Sequence, residues 1–445
     1  MFLAERPRPS VLESRIALAE LINYDVHCQL CSAGRNAYGD LSVTGKPISP
    51  GRPPLIRQTN AEILLRLLRE AGPCSKADLV RASGLSAPSV TNVIGTLTSA
   101  GLVEMLGEGD STGGRPPDIL SFNARRGCIA GVEITRNAIR LLLADLNGSE
   151  FAQSDVTIRK SRSAPEEICQ QIGEELSRLL RGKKLARNRL LRLTLGVPAI
   201  VNVDEGTVLA FTALKNWRNV PLGSILSREL QCAVLVDNDT NLAAAGELHS
   251  GAAKGEKNFV FITIGEGVGA GIFLDGNIYR GSQWSAGEIG YLRVPTISRE
   301  HPAIHKYGKL ETALSASSIL KVWHSNGSRS KTRHPIRRAA DVWDLAAAGN
   351  ADAKRILRQK ATILADVILD LALVLNPNLI LLGGEVGNHP LLLNEVNQLL
   401  EGSEFAIVRV APGALGTSAV LRGAISIAVE PAILSLLRTA GRQPI

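Results

Sequence analysis

The sequence predicts an α/β protein in two parts, a short winged helix-turn-helix followed by a larger, duplicated α/β domain with a cleft between its halves. Two observations carry this reading. Residues 75–117 read as two short helices joined by a glycine turn, then a hairpin tipped by Gly114-Arg115-Pro116-Pro117. From about Cys128 a strand-hairpin-strand order followed by a helix occurs twice, as a repeated α/β unit would be written. At 445 residues the chain is too long for one ordinary domain. Hydrophobic residues make up 45 % and aromatics 4 %, so its cores rest on Leu, Val, Ile and Ala.

Residues 1–54 read as a leader and linker: a helix over 11–30, then a stretch rich in Gly, Ser and Pro. Residues 55–124 form the expected winged helix-turn-helix. Thr59 and Glu62 are spaced as a capping box, followed by Ile63, Leu64, Leu67, Leu68 and Ala71 on one helical face. Gly72-Pro73 ends that helix. Ser75 and Asp78 form a second capping box, with Leu79, Val80 and Ala82 as the buried side of helix two. Gly84 supplies the turn, Ser86 caps helix three, and Pro88 sits in its first turn, where a missing amide hydrogen costs little. Val90, Val93, Ile94 and Leu97 face inward.

Residues 125–445 carry the repeat. Strands are expected at 128–134 and 139–146, with Asn147-Gly148 turning into a third, a helix at 165–180, strands at 191–197 and 234–236, and a helix at 240–250. The second set runs through strands at 259–264 and 269–274, an Asp275-Gly276-Asn277 turn and a strand at 278–279. Helices follow at 313–323, 351–375, 390–400 and 418–429, with strands at 379–382 and 406–410.

Composition excludes several classes. The six cysteines, at 28, 31, 74, 128, 169 and 232, have no disulfide-framework spacing, and no signal peptide precedes them, which fits a reducing cytoplasm. Cys28 and Cys31 form a lone CxxC without a second pair. No apolar run approaches the ~20 residues that span a membrane. A net charge of +8 permits a polyanionic partner without demanding one. The basic run from Arg181 to Arg189 reads as a solvated helix end and loop.

The helix-turn-helix makes double-stranded DNA the first partner to consider. Ser86, Ser89, Thr91 and Asn92 lie at the start of helix three, whose N-terminal residues enter the major groove in such folds. Asn pairs with adenine, and Ser and Thr take bases or phosphates. Lys76 and Arg81 are placed for phosphates. Arg115, between glycine and proline, suits a narrow minor groove.

The GGRPP wing, the GVEI strand, DNDTN, IGEGVGAG, GEIGY and LLGGE together resemble the ROK family of repressors, open reading frames and kinases. The resemblance runs from about Thr59 to the C-terminus and is strongest to the xylose-repressor-like branch of sugar-catabolism repressors. It implies an actin-like, ribonuclease-H-like fold of two lobes with a sugar in the cleft. By that resemblance Asn238, Asp239, Glu288 and Glu311 contact the sugar, with Asp239 at the position of the kinases' general base. The family's Glu-x-Gly-His reads Glu288-Ile289-Gly290-Tyr291, so a phenol stands where many members have a zinc-binding histidine, and Tyr291 is left to contact sugar. The family's CxCGxxGCxE reads Pro302 to Glu311 without a cysteine, so no metal is expected, and His301 and His305 read as surface residues.

The phosphate loops differ most. The family's Asp-x-Gly-Gly-Thr is Glu133-Ile134-Thr135-Arg136-Asn137 here, and Gly-Thr-Gly is Gly265-Glu266-Gly267. A backbone cradle for phosphate needs glycine for close approach, and a glutamate there sets like charge beside like charge. Gly383-Gly384, which cradle adenosine in the kinases, persist. The resemblance therefore implies a sugar-responsive, dimeric repressor of carbohydrate catabolism, with no catalytic residue and no cofactor. The alternatives are an active, ATP-dependent ROK kinase carrying a DNA-binding domain, and a regulator whose signal is a docked protein.

Overall fold

The computed structural model describes residues 53–108, 116–158, 163–211, 216–293, 308–325, 336–402 and 408–440. The expected leader helix, the Cys28–Cys31 pair, Arg115, and the segment holding His301 and His305 lie outside them. Residues from Pro53 onward belong to one compact unit.

Helix α1, Pro53–Ala71, starts ahead of the expected Thr59 cap. Pro53 opens it, where proline's fixed φ favours a helix start, so Thr59 and Glu62 are interior residues. Glu62 accepts a hydrogen bond from Gln58 Nε2 at 2.9 Å instead. Leu64, Leu65, Leu67 and Leu68 are buried, a wider arc than one face, because α1 is covered from two sides. Ala71 at its end is exposed.

Strand β1, Cys74–Ser75, leads into α2, Lys76–Ser83, and α3, Ala87–Ser99. The Ser75–Asp78 box forms as read: Ser75 Oγ accepts from Asp78 N at 3.2 Å, and Asp78 Oδ2 accepts from Ser75 N at 2.9 Å. Gly84 ends α2 at φ 69°. On α2 only Leu79 is fully buried. Ala82 is exposed, a correction to the expected buried side, since eight residues give two turns and one inward anchor. Val90, Val93, Ile94 and Leu97 of α3 are buried. The wing strands β2, Val103–Glu108, and β3, Asp118–Phe122, pair antiparallel, with a register shift between Met105 and Gly107.

Two five-stranded sheets follow. The first holds β4 (Cys128–Ile134), β5 (Ala138–Asp145), β6 (Glu150–Thr157), β7 (Leu190–Val197) and β11 (Ala233–Asn238), in order β11-β7-β4-β5-β6. The second holds β12 (Phe259–Ile264), β13 (Val268–Leu274), β14 (Asn277–Ile278), β15 (Leu379–Gly383) and β16 (Arg409–Pro412), in order β14-β13-β12-β15-β16. In each sheet the first three strands are antiparallel and the last two add in parallel, so the halves share one topology and the predicted duplication is present. Asp275 and Gly276 both have positive φ, as the tight turn into β14 requires.

Helices α4 (Pro165–Gly182), α5 (Leu222–Leu230) and α6 (Asp239–Ser250) belong to the first half. Between β7 and α5 the chain adds a small sheet that the sequence reading did not foresee, β8 (Ile200–Asn202), β9 (Thr207–Ala210) and β10 (Arg218–Val220). The basic run after α4 is exposed from Arg181 to Lys184 and from Ala186 to Arg189, a solvated helix end and loop. In the second half, the expected helix at 313–323 is two, α7 (Lys309–Leu314) and α8 (Ala316–Ser325), broken at Ser315, whose backbone is extended. Helices α9 (Ala339–Ala347), α10 (Ala351–Leu375), α11 (Gly384–Gly387) and α12 (Pro390–Leu400) complete it. The strand expected at 406–410 is β16, at 409–412.

The last helix, α13, runs Ala419–Ala440 through Pro431, well past the expected end at 429. By length and composition the stretch Gly416–Thr439 could cross a membrane, with mean hydropathy 1.7, which corrects the sequence reading. Its apolar character has a different cause here: α13 packs on α6, β4, β5 and β7 and reaches α1 and α3. Arg422 pairs with Glu150 at 3.1 Å and Glu430 with Arg69 at 2.9 Å. The α6–α13 crossing is glycine-lined. A Cβ on Gly423 would lie 1.7 Å from the Leu242 carbonyl oxygen, and one on Gly246 would lie 2.4 Å from that of Ala419.

Candidate functional site

The apolar run of β11 ends in Asp237-Asn238, and Asp239 opens α6. Asn238 caps that helix: its Oδ1 accepts from Thr240 N at 2.8 Å and from Asn241 N at 3.2 Å, while its Nδ2 donates to Ala199 O at 3.1 Å. The cap fixes Asp239 at the edge between the sheets, with its Oδ1 held by Thr240 N at 2.7 Å.

From the other half come Glu288 and Tyr291, on the segment after β14, and Glu311 in the first turn of α7. Glu311 is fitted against glycine: a Cβ on Gly267 would meet its Oε2 at 3.2 Å, and one on Gly290 its Cβ at 3.4 Å. Val268 N donates to Glu311 Oε2 at 3.4 Å. Tyr291 is 55 % exposed and stands at the rim.

These acids interact. Burial pushes the Asp239 carboxyl up to about 6. Burial, then the charges of Asp239 and Glu311, pushes Glu288 up to about 7. Glu311 is raised by burial against its bond from Val268, and the Tyr291 phenol is raised by burial and by Glu288 and Glu311. A partly buried cluster of acids near neutrality is built to accept hydrogen bonds from a polyhydroxyl ligand that completes its desolvation.

A raised carboxyl pKa means the folded protein holds protons that the unfolded chain has released. The Glu288 contribution to stability is therefore full below about pH 4 and falls as pH rises towards 7. Glu288→Gln is expected to raise the sugar-free melting temperature by a few degrees at pH 8 and to change it little at pH 5. An equal shift at both pH values would contradict this origin.

The Glu133-to-Asn137 loop is a closed hairpin turn. Thr135 Oγ1 accepts from Ala138 N at 3.0 Å and Asn137 N at 3.4 Å. Glu133 is pushed up to about 7 by burial, with Arg140 opposing and Asp239 adding to the shift. Arg140 Nη1 donates to Glu133 Oε2 at 2.8 Å and to Thr417 O at 2.6 Å. In the second loop Gly265 N donates to Gly267 O at 2.9 Å, and Glu266 points to solvent.

The sequence reading missed Asp237, Arg140 and Arg280. A charge closing an otherwise apolar strand was the available signal for Asp237. Nothing in the spacing announced the arginines.

In the helix-turn-helix, Thr91 and Asn92 are exposed on the side of α3 away from its buried residues. Ser86 Oγ and Ser89 Oγ are 2.9 Å apart, tied at the start of the helix. Lys76 opens α2 and is half-buried. Arg81 is exposed but hydrogen-bonded to Asp78, so its charge is shared with a carboxylate on the same helix.

An IclR helix-turn-helix domain model matches residues 61–107. A xylose repressor from Bacillus spizizenii is 25 % identical over 382 residues, covering 84 % of this chain and 96 % of the relative. A glucokinase from Halalkalibacterium halodurans is 32 % identical over 293 residues, 64 % of this chain and 88 % of the relative. A crystal structure of a ROK family transcriptional regulator, a homologue of an Escherichia coli Mlc protein, superposes with TM-score 0.71 at 24 % identity, covering 87 % of this chain and 99 % of that one. The ROK family model matches residues 129–430, and the chain belongs to the ROK family.

Proposed function

We propose that the chain is a sugar-responsive DNA-binding repressor of carbohydrate-catabolism genes, working in the cytoplasm as a dimer. Residues 55–124 are the DNA-binding domain and 125–445 the sugar-sensing domain. The observation that carries this is one helix, α13, which packs both on α6, whose N-terminus holds Asn238 and Asp239, and on α1 and α3 of the helix-turn-helix. Arg69 reinforces the junction, bonded to Glu430 and lying 5.7 Å over the Phe122 ring, and Arg126 Nε donates to Ala100 O at 2.8 Å. The relatives named xylose repressor support the same reading.

In this reading a sugar is held by Asn238, Asp239, Glu288, Tyr291 and Glu311, and closes the cleft. Closure shifts α6, α13 follows, and the two winged helices of a dimer leave the spacing of about 34 Å that a palindromic operator requires. On the DNA, Ser86, Ser89, Thr91 and Asn92 face the major groove, Lys76 and Arg81 the phosphates, and Arg115 the minor groove.

Asn92→Ala is expected to weaken specific operator binding by about 1–3 kcal/mol while non-specific binding changes little. An electrophoretic mobility shift with operator and scrambled duplexes measures both. A mutant indistinguishable from wild type on the operator would remove α3 from the readout. The whole proposal is tested by operator affinity across a monosaccharide panel, and an affinity that no sugar alters would overturn it.

The second reading is phosphoryl transfer, favoured by Asp239 and by the likeness to a glucokinase. The closed Thr135 turn, which holds no glycine to cradle phosphate, and the Glu266 carboxylate, which sets like charge beside like charge between Gly265 and Gly267, argue against it. Hexose-dependent ATP consumption, lost in Asp239→Asn, would establish the kinase instead.

A further inference from the structure

The Asp237 side chain is only 1 % exposed, and the residue directly precedes Asn238 and Asp239. Both its oxygens are fully used. Oδ1 accepts from Asn238 N at 2.8 Å and Asn241 Nδ2 at 3.1 Å, and Oδ2 accepts from Arg280 Nε at 3.2 Å and Nη2 at 2.6 Å. Asp237 is the penultimate residue of β11 in the first sheet, whereas Arg280 follows β14 of the second. The pair therefore crosses between the halves.

Arg280 also begins the segment that carries Glu288. Its carbonyl accepts from Ala286 N at 3.2 Å, and Gly287 O accepts from Ala270 N at 2.8 Å. A Cβ on Gly287 would sit 1.9 Å from Ala270 O, so backbone lies directly on backbone there. The segment is thus clamped at its far end to β13 and at its near end, through Arg280, to β11.

We propose that Arg280 is a positioning residue for the cleft: by gripping Asp237 through two nitrogens it sets how Glu288 stands relative to Asp239. This deepens the sugar-sensing reading and rests on it. Two donors on one planar group fix direction as well as distance, which an ammonium cannot do. A buried ion pair adds little net stability over a well-packed apolar pair, so registration of the two halves is what this one contributes.

The test uses the full chain with Arg280→Lys, Arg280→Met and the double variant Asp237→Asn/Arg280→Met, which leaves no buried charge unpaired. Two readouts are taken: hydrogen exchange over residues 281–291 without sugar, and affinity for D-glucose and D-xylose by calorimetry. Faster exchange over 281–291 in Arg280→Met and in the double variant, partly restored in Arg280→Lys, is expected. Sugar affinity should fall about tenfold or more in the first two, the scale of a lost hydrogen bond to a charged group, and less in the lysine variant. Unchanged exchange over 281–291 in the double variant, or wild-type sugar affinity in it, would overturn the role of Arg280. Wild-type protein that binds neither sugar would count against the sensing reading for those two sugars, and the exchange readout would still decide the role of Arg280.

Discussion

Asp239→Asn is expected to separate sensing from folding. Sugar affinity should drop by about 1.5–3 kcal/mol, on the order of 10- to 100-fold, because hydrogen bonds to a charged acceptor are lost. Operator binding without sugar should remain, so the variant behaves as a repressor that sugar does not release. Its stability should move the other way. Asp239 holds a carboxyl that burial raises to about 6, so at pH 8 the folded protein carries a charge it disfavours. Asparagine keeps the Oδ1 that accepts from Thr240 N and removes that charge. A higher melting temperature at pH 8 together with lost sugar response is the predicted pair of outcomes. Lost sugar response with a lower melting temperature would show that the carboxylate holds the fold together instead of serving a ligand.

Gly423→Ala carries the second large effect. Its methyl group would lie 1.7 Å from the Leu242 carbonyl oxygen and 2.8 Å from Gly246 N, both backbone atoms of α6. No rotamer change relieves that contact, so the two helices must separate. Overpacking of this kind costs about 1–3 kcal/mol and more where backbone must move. Gly95→Ala is the control. That residue lies within α3 with nothing within 4 Å of an added Cβ, and the change should stabilise the helix by about 0.8–1 kcal/mol. Thermal unfolding of both variants checks the contrast. Gly423→Ala protein that survives should also show a weakened sugar effect on DNA, since the displaced crossing is the path between them. Wild-type stability in Gly423→Ala would contradict the close crossing.

Much of this molecule was legible in its sequence because its signals are local. Ser75 with Asp78, Gly84 and Ser86 announce helix ends through side-chain chemistry within one turn, and all of them act as read. The tight turns at Asn147-Gly148 and Asp275-Gly276 mark matching hairpins, and from them the duplication follows. Local signals also misled. Thr59 and Glu62 have cap spacing, but Pro53 starts the helix earlier and leaves them in its interior. The last helix was expected to end at 429, yet α13 continues through Pro431 to Ala440, because packing on α6 and the sheet outweighs one lost backbone hydrogen bond.

The candidate cleft residues were found through family resemblance. What joins them was not, because those contacts are long-range. Asp237 meets Arg280, Arg140 meets the Thr417 carbonyl, and Gly246 meets Gly423 across separations that no periodicity encodes. Arg81 illustrates the reverse: its place on α2 suggested a phosphate contact, and the structure adds the competing Asp78 carboxylate.

The most direct measurement is reciprocal coupling between cleft and operator. Operator affinity is measured with and without saturating sugar, and sugar affinity with and without saturating operator, on one preparation. Binding linkage requires the two ratios to be equal, and coupling through α13 predicts a common weakening of about 5- to 150-fold. Ratios of one on both sides, with each ligand bound, would contradict the claim that this helix-turn-helix reports what the cleft holds.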